Sequence, residues 1–484
     1  MNVHEELLVG GEWRKPESQA RIAVVCPSTE EVIGQVPDAG ADDVYMAVRA
    51  AREAFDHGPW RAMSVAERIE VLDGALQLLG SRIDEIGTLV TAQMGLPTSI
   101  AGVQIPGALD TGRYFLQVAQ DEPVTEVRQT RLCAAAVVKE PVGVVASIAP
   151  WNGPFNIAIS KIIPALVTGC SLVYKPAPET PLDAFLIAEA LTQAGLPAGV
   201  FNLLTGGRET GAALVAHPGI DKVSFTGSTA AGRDIGRQCG GSFKRLQLEL
   251  GGKSAAIVLD DADITTTMTG LAMGCFFNTG QVCAAYSRVL LPTSRYDEFT
   301  AALAKTAESF VVGDPFDPAT SMGPLVSARQ HERVLSYLDV GRDEGAVIAT
   351  GGGIPPGLDK GFYVQPTVFT EADNSMRICR EEIFGPVASV LRYDTVDQAI
   401  AIANDSDYGL HGAVFTADPQ RAAEVARRVR TGTFSVNAFV YNTEAPFGGV
   451  KNSGVGRDTG PEAVRAYYEL KTINLDALTA ALFD

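Results

Sequence analysis

The chain has 484 residues, enough for two or three domains with sizeable cores. Hydrophobic residues make up 46% and charged residues 20%, a balance that excludes a disordered chain. A net charge of -18 argues against nucleic acid or an anionic membrane as a main partner.

The seven cysteines are scattered, odd in number and without a C-x-x-C pair, which suits a reducing compartment. The five histidines lie far apart, so no zinc site is expected and the metal assignment is none. The stretch Met1-Asn2-Val3-His4-Glu5-Glu6 lacks a basic region followed by an apolar one, and no apolar run approaches the roughly twenty residues of a membrane span. A cytoplasmic location is the expectation.

In chain order, residues 6 to 36 read as short strands with a turn at Gly10-Gly11. Helices are expected from Ala41 to Phe55, after the capping box Ser64/Glu67, from Ser81 to Met94, and from Leu109 to Gln120. Alternation between 122 and 141 predicts a projecting β-hairpin, and the tail from Ala466 to Leu475 carries a matching alternation. From Gly143 the rhythm is strand, helix, strand, helix. Strands are expected at Val144–Ala149, Ser171–Lys175, Phe201–Leu204 and Lys222–Phe225, with helices at Pro154–Val167, Leu182–Ala194, Glu209–Ala216 and Ala230–Cys239. That alternation predicts a doubly wound α/β fold, whose ligands bind at the carboxyl ends of parallel strands. A second α/β region follows Gly251-Gly252, opening on a strand at Ala255–Leu259. Its expected helices are Ile264–Phe277, Arg295–Phe310, Ser327–Asp343, Val396–Asn404 and Pro419–Arg430. Its further strands are expected at Val387–Tyr393, Ala413–Phe415 and Gly432–Val436.

Six stretches carry chemistry. In Phe277-Asn278-Thr279-Gly280-Gln281-Val282-Cys283, small neighbours leave Cys283 approachable, as a nucleophilic thiolate requires, although most free cysteines are simply buried. Gly227-Ser228 stands where a strand hands over to a helix, a place for phosphate or for an ordinary N-cap. Lys175 ends a buried strand at the ligand edge of the sheet, where its ammonium can reach a ribose or stay solvated. In Ala149-Pro150-Trp151-Asn152-Gly153-Pro154, Asn152 is either an oxyanion donor or a turn asparagine. Glu249 interrupts an apolar strand before Gly251-Gly252, which suits a general base with a raised pKa, or else an exposed edge residue. The acidic pair Glu381-Glu382, ahead of Phe384, anchors a ribose or caps a turn.

These stretches, in this order and with Ala445-Pro446-Phe447-Gly448-Gly449 following, closely resemble the aldehyde dehydrogenase superfamily over nearly the whole chain. Glu249 stands 34 residues before Cys283, as in the hydrolytic, non-acylating members. The resemblance implies a Rossmann-type cofactor domain (1-121 and 142-251), an α/β catalytic domain (252-465), and a small β bridging segment (122-141 and 466-484) that builds a homodimer or homotetramer. It implies that Cys283 attacks the aldehyde to give a thiohemiacetal, held by Asn152 and the Cys283 amide, which passes through a thioester that Glu249-activated water hydrolyses. Trp151, Lys175, Gly227, Ser228, Glu382 and Phe384 resemble the family's cofactor contacts, and NAD is the expected cofactor. Pro178 replaces a common glutamate, with Glu179 displaced by one, and leaves NADP open. The substrate pocket is expected from Gly153, Ile157, Phe277, Val282, Tyr441 and Phe447, with Phe155 beside them. Gly153 and Ser160 stand where relatives carry bulky aromatic residues, so the expected substrate is a medium or bulky apolar aldehyde, aromatic or terpenoid, rather than acetaldehyde. Two alternatives compete: a cofactor-independent cysteine esterase, and a catalytically silent structural relative.

Overall fold

The computed structural model describes residues 2–476, so residues 477–484 of the expected bridging segment lie outside the described residues. The first large sheet runs, edge to edge, Gly454–Val455, Arg245–Glu249, Lys222–Thr226, Val144–Ile148, Ser171–Lys175, Phe201–Leu203, Leu7–Val9 and Glu12–Arg14. Its five middle strands are parallel and its edge strands antiparallel. Val144–Ile148, the first of these five strands in chain order, lies at the centre and is buried at every residue. The next two strands build outward on one side of it, and the chain then returns to build on the other. The switch of direction lies between Val144–Ile148 and Lys222–Thr226, where a doubly wound sheet opens a ligand crevice. The loops leaving those two strands carry Trp151-Asn152-Gly153 and Gly227-Ser228.

The second large sheet runs Val347–Thr350, Thr367–Thr370, Val387–Tyr393, Arg288–Pro292, Ala255–Val258, Gly412–Phe415 and Ser435–Val436, and only its first strand is antiparallel. Arg288–Pro292 was absent from the expected strands, yet every residue in it is buried. Its leading Arg288 hides the pattern. The guanidinium is buried and donates to the carbonyls of Lys253, Ile402 and Ala403 and to Asn374.

The helix Pro154–Val167 leaves the switch-point loop with proline at its first turn, where no amide hydrogen is needed. It is apolar almost all round and buried on most faces, with Phe155, fully buried, contributing roughly 2–3 kcal/mol of apolar burial. Phe155 is therefore a core residue rather than part of the pocket. The helix expected from Leu109 begins eleven residues earlier, as Thr98–Asp121. Gly102, Pro106 and Gly107 look like breakers in the sequence, but Ala101, Ile105, Ala108 and Leu109 keep one face buried, and that packing outweighs the propensity cost.

A separate sheet of Thr125–Gln129, Ala134–Pro141 and Tyr468–Leu475 joins the expected hairpin to the expected tail, antiparallel throughout, with Thr472 opposite Val137. Leu132, at the hairpin tip, is 89% exposed. A small sheet of Asn2–Val3, Val32–Pro37 and Arg21–Val25 completes the N-terminal part. No helix among the described residues is long and apolar enough to cross a membrane, and no metal-binding cluster occurs among them.

Candidate active site

The helix Ile264–Phe276 stops abruptly, and the chain then takes three left-handed residues in succession: Asn278 at φ 51°, Thr279 at 56° and Gly280 at 67°. Such residues are costly outside glycine, and asparagine is among the most tolerant. Glycine is required at 280 for a second reason, since a Cβ there would stand 2.1 Å from the Gly385 carbonyl oxygen. The turn delivers Cys283, which is half-buried, against Gly252. A Cβ on Gly252 would lie 2.3 Å from the Cys283 carbonyl oxygen, so glycine at 252 lets these two segments touch, while glycine at 251 leaves room for the Glu382 carboxylate. Burial pushes the Cys283 thiol up, and the carboxylates of Glu249 and Glu382 add to the rise. The Ala284 and Cys283 amides pull the other way, which places both beside the sulfur.

Asn152 reaches this turn from the first sheet. Its Nδ2 donates to the carbonyl of Gln281 at 2.9 Å, and its own carbonyl accepts from Asn278 Nδ2 at 2.9 Å. Glu249 approaches from the end of Arg245–Glu249, a strand covered by Gly454–Val455 and so not the sheet edge. It is only 3% exposed, and neither carboxylate oxygen has a hydrogen-bond partner. Burial holds its pKa well above the usual carboxylate range, and Asp458 raises it further. Lys161, Arg457 and a weak approach of the Gly449 amide oppose the shift without cancelling it. The sequence did not single out Lys161 or Asp458. The fully buried Lys161 bonds Asp458 at 3.3 Å and Ser224 Oγ at 3.1 Å. A lysine within the apolar run Ile159-Ser160-Lys161-Ile162-Ile163 was the available signal.

The expected cofactor contacts gather along the carboxyl edge of the first sheet. Lys175 is 5% exposed, its Nζ donating to the carbonyls of Pro176 and Gly206 at 2.8 Å each, and burial lowers its pKa to about 8. The Gly227 amide donates to the Glu249 carbonyl at 3.0 Å, which links that turn to the expected base. Ser228 Oγ caps its helix by accepting from the Ala231 amide at 3.3 Å, leaving the hydroxyl hydrogen free to donate. Glu382 Oε1 accepts from the Gly252 amide at 3.0 Å, and burial pushes its pKa up to about 7. Glu381 instead bonds Arg377 and Tyr337, so the two acids of that pair are divided between a local turn and the crevice. Trp151 and Phe384 meet edge to face, with ring centroids 5.2 Å apart.

Gly153 sits over Ile157 on the first turn of the helix Pro154–Val167. Phe277 and Val282 flank the cysteine turn, both partly exposed. Tyr441 packs edge to face on Phe439 at 5.1 Å and on Phe447 at 5.4 Å, with His411 at 5.8 Å. Tyr441 is 42% exposed at the surface of this aromatic group. His411, missed in the sequence, holds this aromatic group from below. Its ring contacts Tyr286 and Ser435 at 3.2 Å and Thr433 at 2.7 Å, and burial lowers its pKa to about 4.

A family model described as the aldehyde dehydrogenase family matches residues 13–473. The chain belongs to the aldehyde dehydrogenase family. It is 43% identical over 475 residues to a geranial dehydrogenase of Castellaniella defragrans, covering 98% of this chain and 99% of that protein. It superposes on a Mycobacterium tuberculosis aldehyde dehydrogenase complexed with NAD+ with a TM-score of 0.96, at 45% identity, over 98% of this chain and 99% of that one. A mutant aldehyde dehydrogenase C from Pseudomonas syringae, complexed with NAD+ and octanal, gives 0.94 at 41% identity, over 97% and 96% of the two chains. The expected fold is that of these enzymes, a Rossmann-type sheet joined to a second α/β sheet.

Proposed function

We propose that this aldehyde dehydrogenase uses NAD to convert an apolar aldehyde to its carboxylic acid, with Cys283 as nucleophile. The supporting observation is convergence. Three elements from two sheets bring Cys283, the Asn152 amide and an unpartnered, buried Glu249 carboxylate to one place. Cys283 sulfur attacks the carbonyl carbon, and the oxygen that becomes negative is held by Asn152 Nδ2 and the Cys283 amide. Donors fixed before the reaction are worth about 3–4 kcal/mol each in such a site. The thiol proton leaves to solvent as the carbon–sulfur bond forms, so Glu249 stays ionised for the later hydrolytic step. Bound NAD supplies the hydride acceptor that takes the thiohemiacetal to a thioester. Glu249 then removes a proton from water as its oxygen attacks the thioester carbon, and the carbon–sulfur bond breaks to release the acid and restore the thiol.

The residues at the crevice fit a dinucleotide. Lys175 has one N–H left after its two carbonyl bonds, Glu382 offers an acceptor for ribose hydroxyls, and Ser228 and the helix start beyond it offer donors to phosphate. NAD is favoured over NADP by the likeness to enzymes complexed with NAD+, whereas Glu179, near Lys175, is paired with Arg329 at 2.9 Å and so offers a 2′-phosphate little net repulsion. Gly153, Ile157, Phe277, Val282, Tyr441 and Phe447 offer apolar surface with no charged side chain among them, which supports a medium or bulky apolar aldehyde. The Castellaniella relative's name, geranial dehydrogenase, agrees with that substrate class. The proposed division is a cofactor domain over 1-121 and 142-251, a catalytic domain over 252-465, and a bridging segment over 122-141 and 466-484. Among the described residues nothing pairs with the outer edges of Thr125–Gln129 and Tyr468–Leu475 in the three-stranded sheet, which supports pairing with a second copy in a homodimer or homotetramer.

The test is formation of reduced nicotinamide with a panel of aldehydes, run with NAD and with NADP, beside Cys283→Ala. Turnover with NAD that vanishes in the variant is expected, highest per unit affinity with bulky apolar aldehydes. Ester cleavage without any nicotinamide reduction would replace this function with a cysteine esterase, and highest efficiency with acetaldehyde would overturn the substrate class.

A further inference from the structure

The polar contacts around Asn152 and the 278–281 turn form a closed ring. Asn278 Nδ2 donates to the Asn152 carbonyl at 2.9 Å and leans on the Gln281 carbonyl at 3.4 Å. The Asn152 side chain donates to that same Gln281 carbonyl at 2.9 Å. Gln281 closes the turn onto Asn278, its amide and its side-chain Nε2 both donating to the Asn278 carbonyl, at 3.0 and 3.3 Å. Its Oε1 accepts from the Val326 amide at 3.0 Å, and Thr279 Oγ1 donates to the Gly323 carbonyl at 3.0 Å, so the ring is bolted to the surrounding chain. Asn278, Thr279 and Gln281 are each 5% exposed or less. The Asn278 amide therefore grips the main chain of Asn152, while the main chain two residues before Cys283 grips the Asn152 side chain.

We propose that Asn278 is the positioning residue of the oxyanion site, fixing the direction of the Asn152 amide relative to Cys283. The inference rests on the role given to Asn152 above. A terminal amide torsion is broad on its own, and a donor aims well only when its carrier is held at both ends. Asn152 has one N–H on Gln281, and the other is left for the developing oxyanion. Asn278 also meets the conformational need of the turn, because asparagine accepts φ 51° more readily than residues other than glycine. The two roles separate experimentally. Asn278→Gly keeps the left-handed turn without strain and deletes the amide, whereas Asn278→Asp keeps the shape and sets an acceptor against two carbonyls.

The experiment compares the full-length protein with Asn278→Gly, Asn278→Asp, Asn152→Ala and the double variant Asn152→Ala/Asn278→Gly. It reads kcat, KM, the rate of Cys283 alkylation by iodoacetamide, and NAD binding by fluorescence. Alkylation forms no oxyanion, so it reports the thiol and the turn without Asn152. Expected for Asn278→Gly is a kcat about ten-fold or more below wild type, with KM, alkylation and NAD binding within about two-fold. Asn278→Asp falls at least as far, and the double variant falls no further than Asn152→Ala alone, because the two residues act as one unit. Wild-type kcat in Asn278→Gly would overturn the inference. So would a fall in alkylation equal to the fall in kcat, which would make Asn278 a purely structural residue. Additive losses in the double variant would overturn it as well. Full activity in Asn152→Ala would instead remove the oxyanion assignment, and the positioning role with it.

Discussion

Around Cys283 each residue of the turn 278–281 is tied down or tightly packed, whereas Glu249, which faces the same space, accepts no hydrogen bond at either oxygen. In the proposed mechanism the difference follows from what each side does. An oxyanion donor lowers a barrier only if it is already aimed, because reorganising it during the reaction would cost what it gives. A base that must accept a proton from water needs an empty lone pair, and burial without partners keeps its pKa high enough to take that proton. The protein accepts strain on one side and an unsatisfied buried carboxylate on the other, each a few kcal/mol at most.

The largest effect expected from breaking this arrangement is Cys283→Ala. It should cut aldehyde oxidation by at least about a thousand-fold, since the proposed mechanism forms its covalent intermediate on Cys283. Steady-state nicotinamide reduction measures it, and residual turnover above that level would mean another nucleophile. Asn152→Ala should lower kcat about 100- to 1000-fold with KM little changed. A change confined to KM would make Asn152 a binding residue only.

Glu249→Gln should lower steady-state kcat about 100-fold or more. The same change should make the fold more stable at alkaline pH. The folded pKa of Glu249 lies above its unfolded value, so the native state holds the proton more tightly, and wild-type stability falls as pH rises through that folded value. Glutamine has no charge to bury, and denaturant unfolding at pH 5 and pH 8 should show the variant gaining on wild type by about 1–3 kcal/mol at the higher pH. A constant difference between the two would refute the buried-charge account.

The smallest effect concerns Glu382, whose carboxyl is pushed up to about 7 by burial. It is ionised above that pH and protonated below it, so NAD affinity should weaken a few-fold as pH falls from 8 to 6. Fluorescence titration of Glu382→Gln should give weaker binding without that loss toward acid pH, leaving only the gain expected as Lys175, lowered to about 8, takes up its proton. A wild-type slope surviving in the variant would assign the titration to another group.

Much of this was legible without coordinates. Ser171–Lys175, Pro154–Val167, Val387–Tyr393 and Val396–Asn404 have the expected limits, because apolar runs bounded by glycine, proline or a capping residue leave one choice of period and length. Trp151, Asn152, Gly227 and Ser228 could be placed at strand ends for the same reason. Arg288–Pro292 was hidden by an arginine whose charge is met entirely by carbonyls and one asparagine, partners distant in the chain. Asn278 was quoted within the cysteine motif but given no task, since neither its left-handed backbone nor its grip on Asn152 is a pattern of neighbouring residues. Phe155 was expected beside the pocket but is fully buried in the core, whereas Ile157, two residues on, is only partly buried against the same core, a difference set by packing rather than residue type.

The most direct test is the first turnover of Glu249→Gln and Asn152→Ala, each mixed rapidly with NAD and an apolar aldehyde while nicotinamide absorbance is followed. If the oxyanion side is prebuilt and the base serves mainly deacylation, Glu249→Gln gives a burst approaching one reduced nicotinamide per site and then stalls. Asn152→Ala gives no burst, only slow formation from the start. A missing burst in Glu249→Gln, or an undiminished one in Asn152→Ala, would contradict that division of labour.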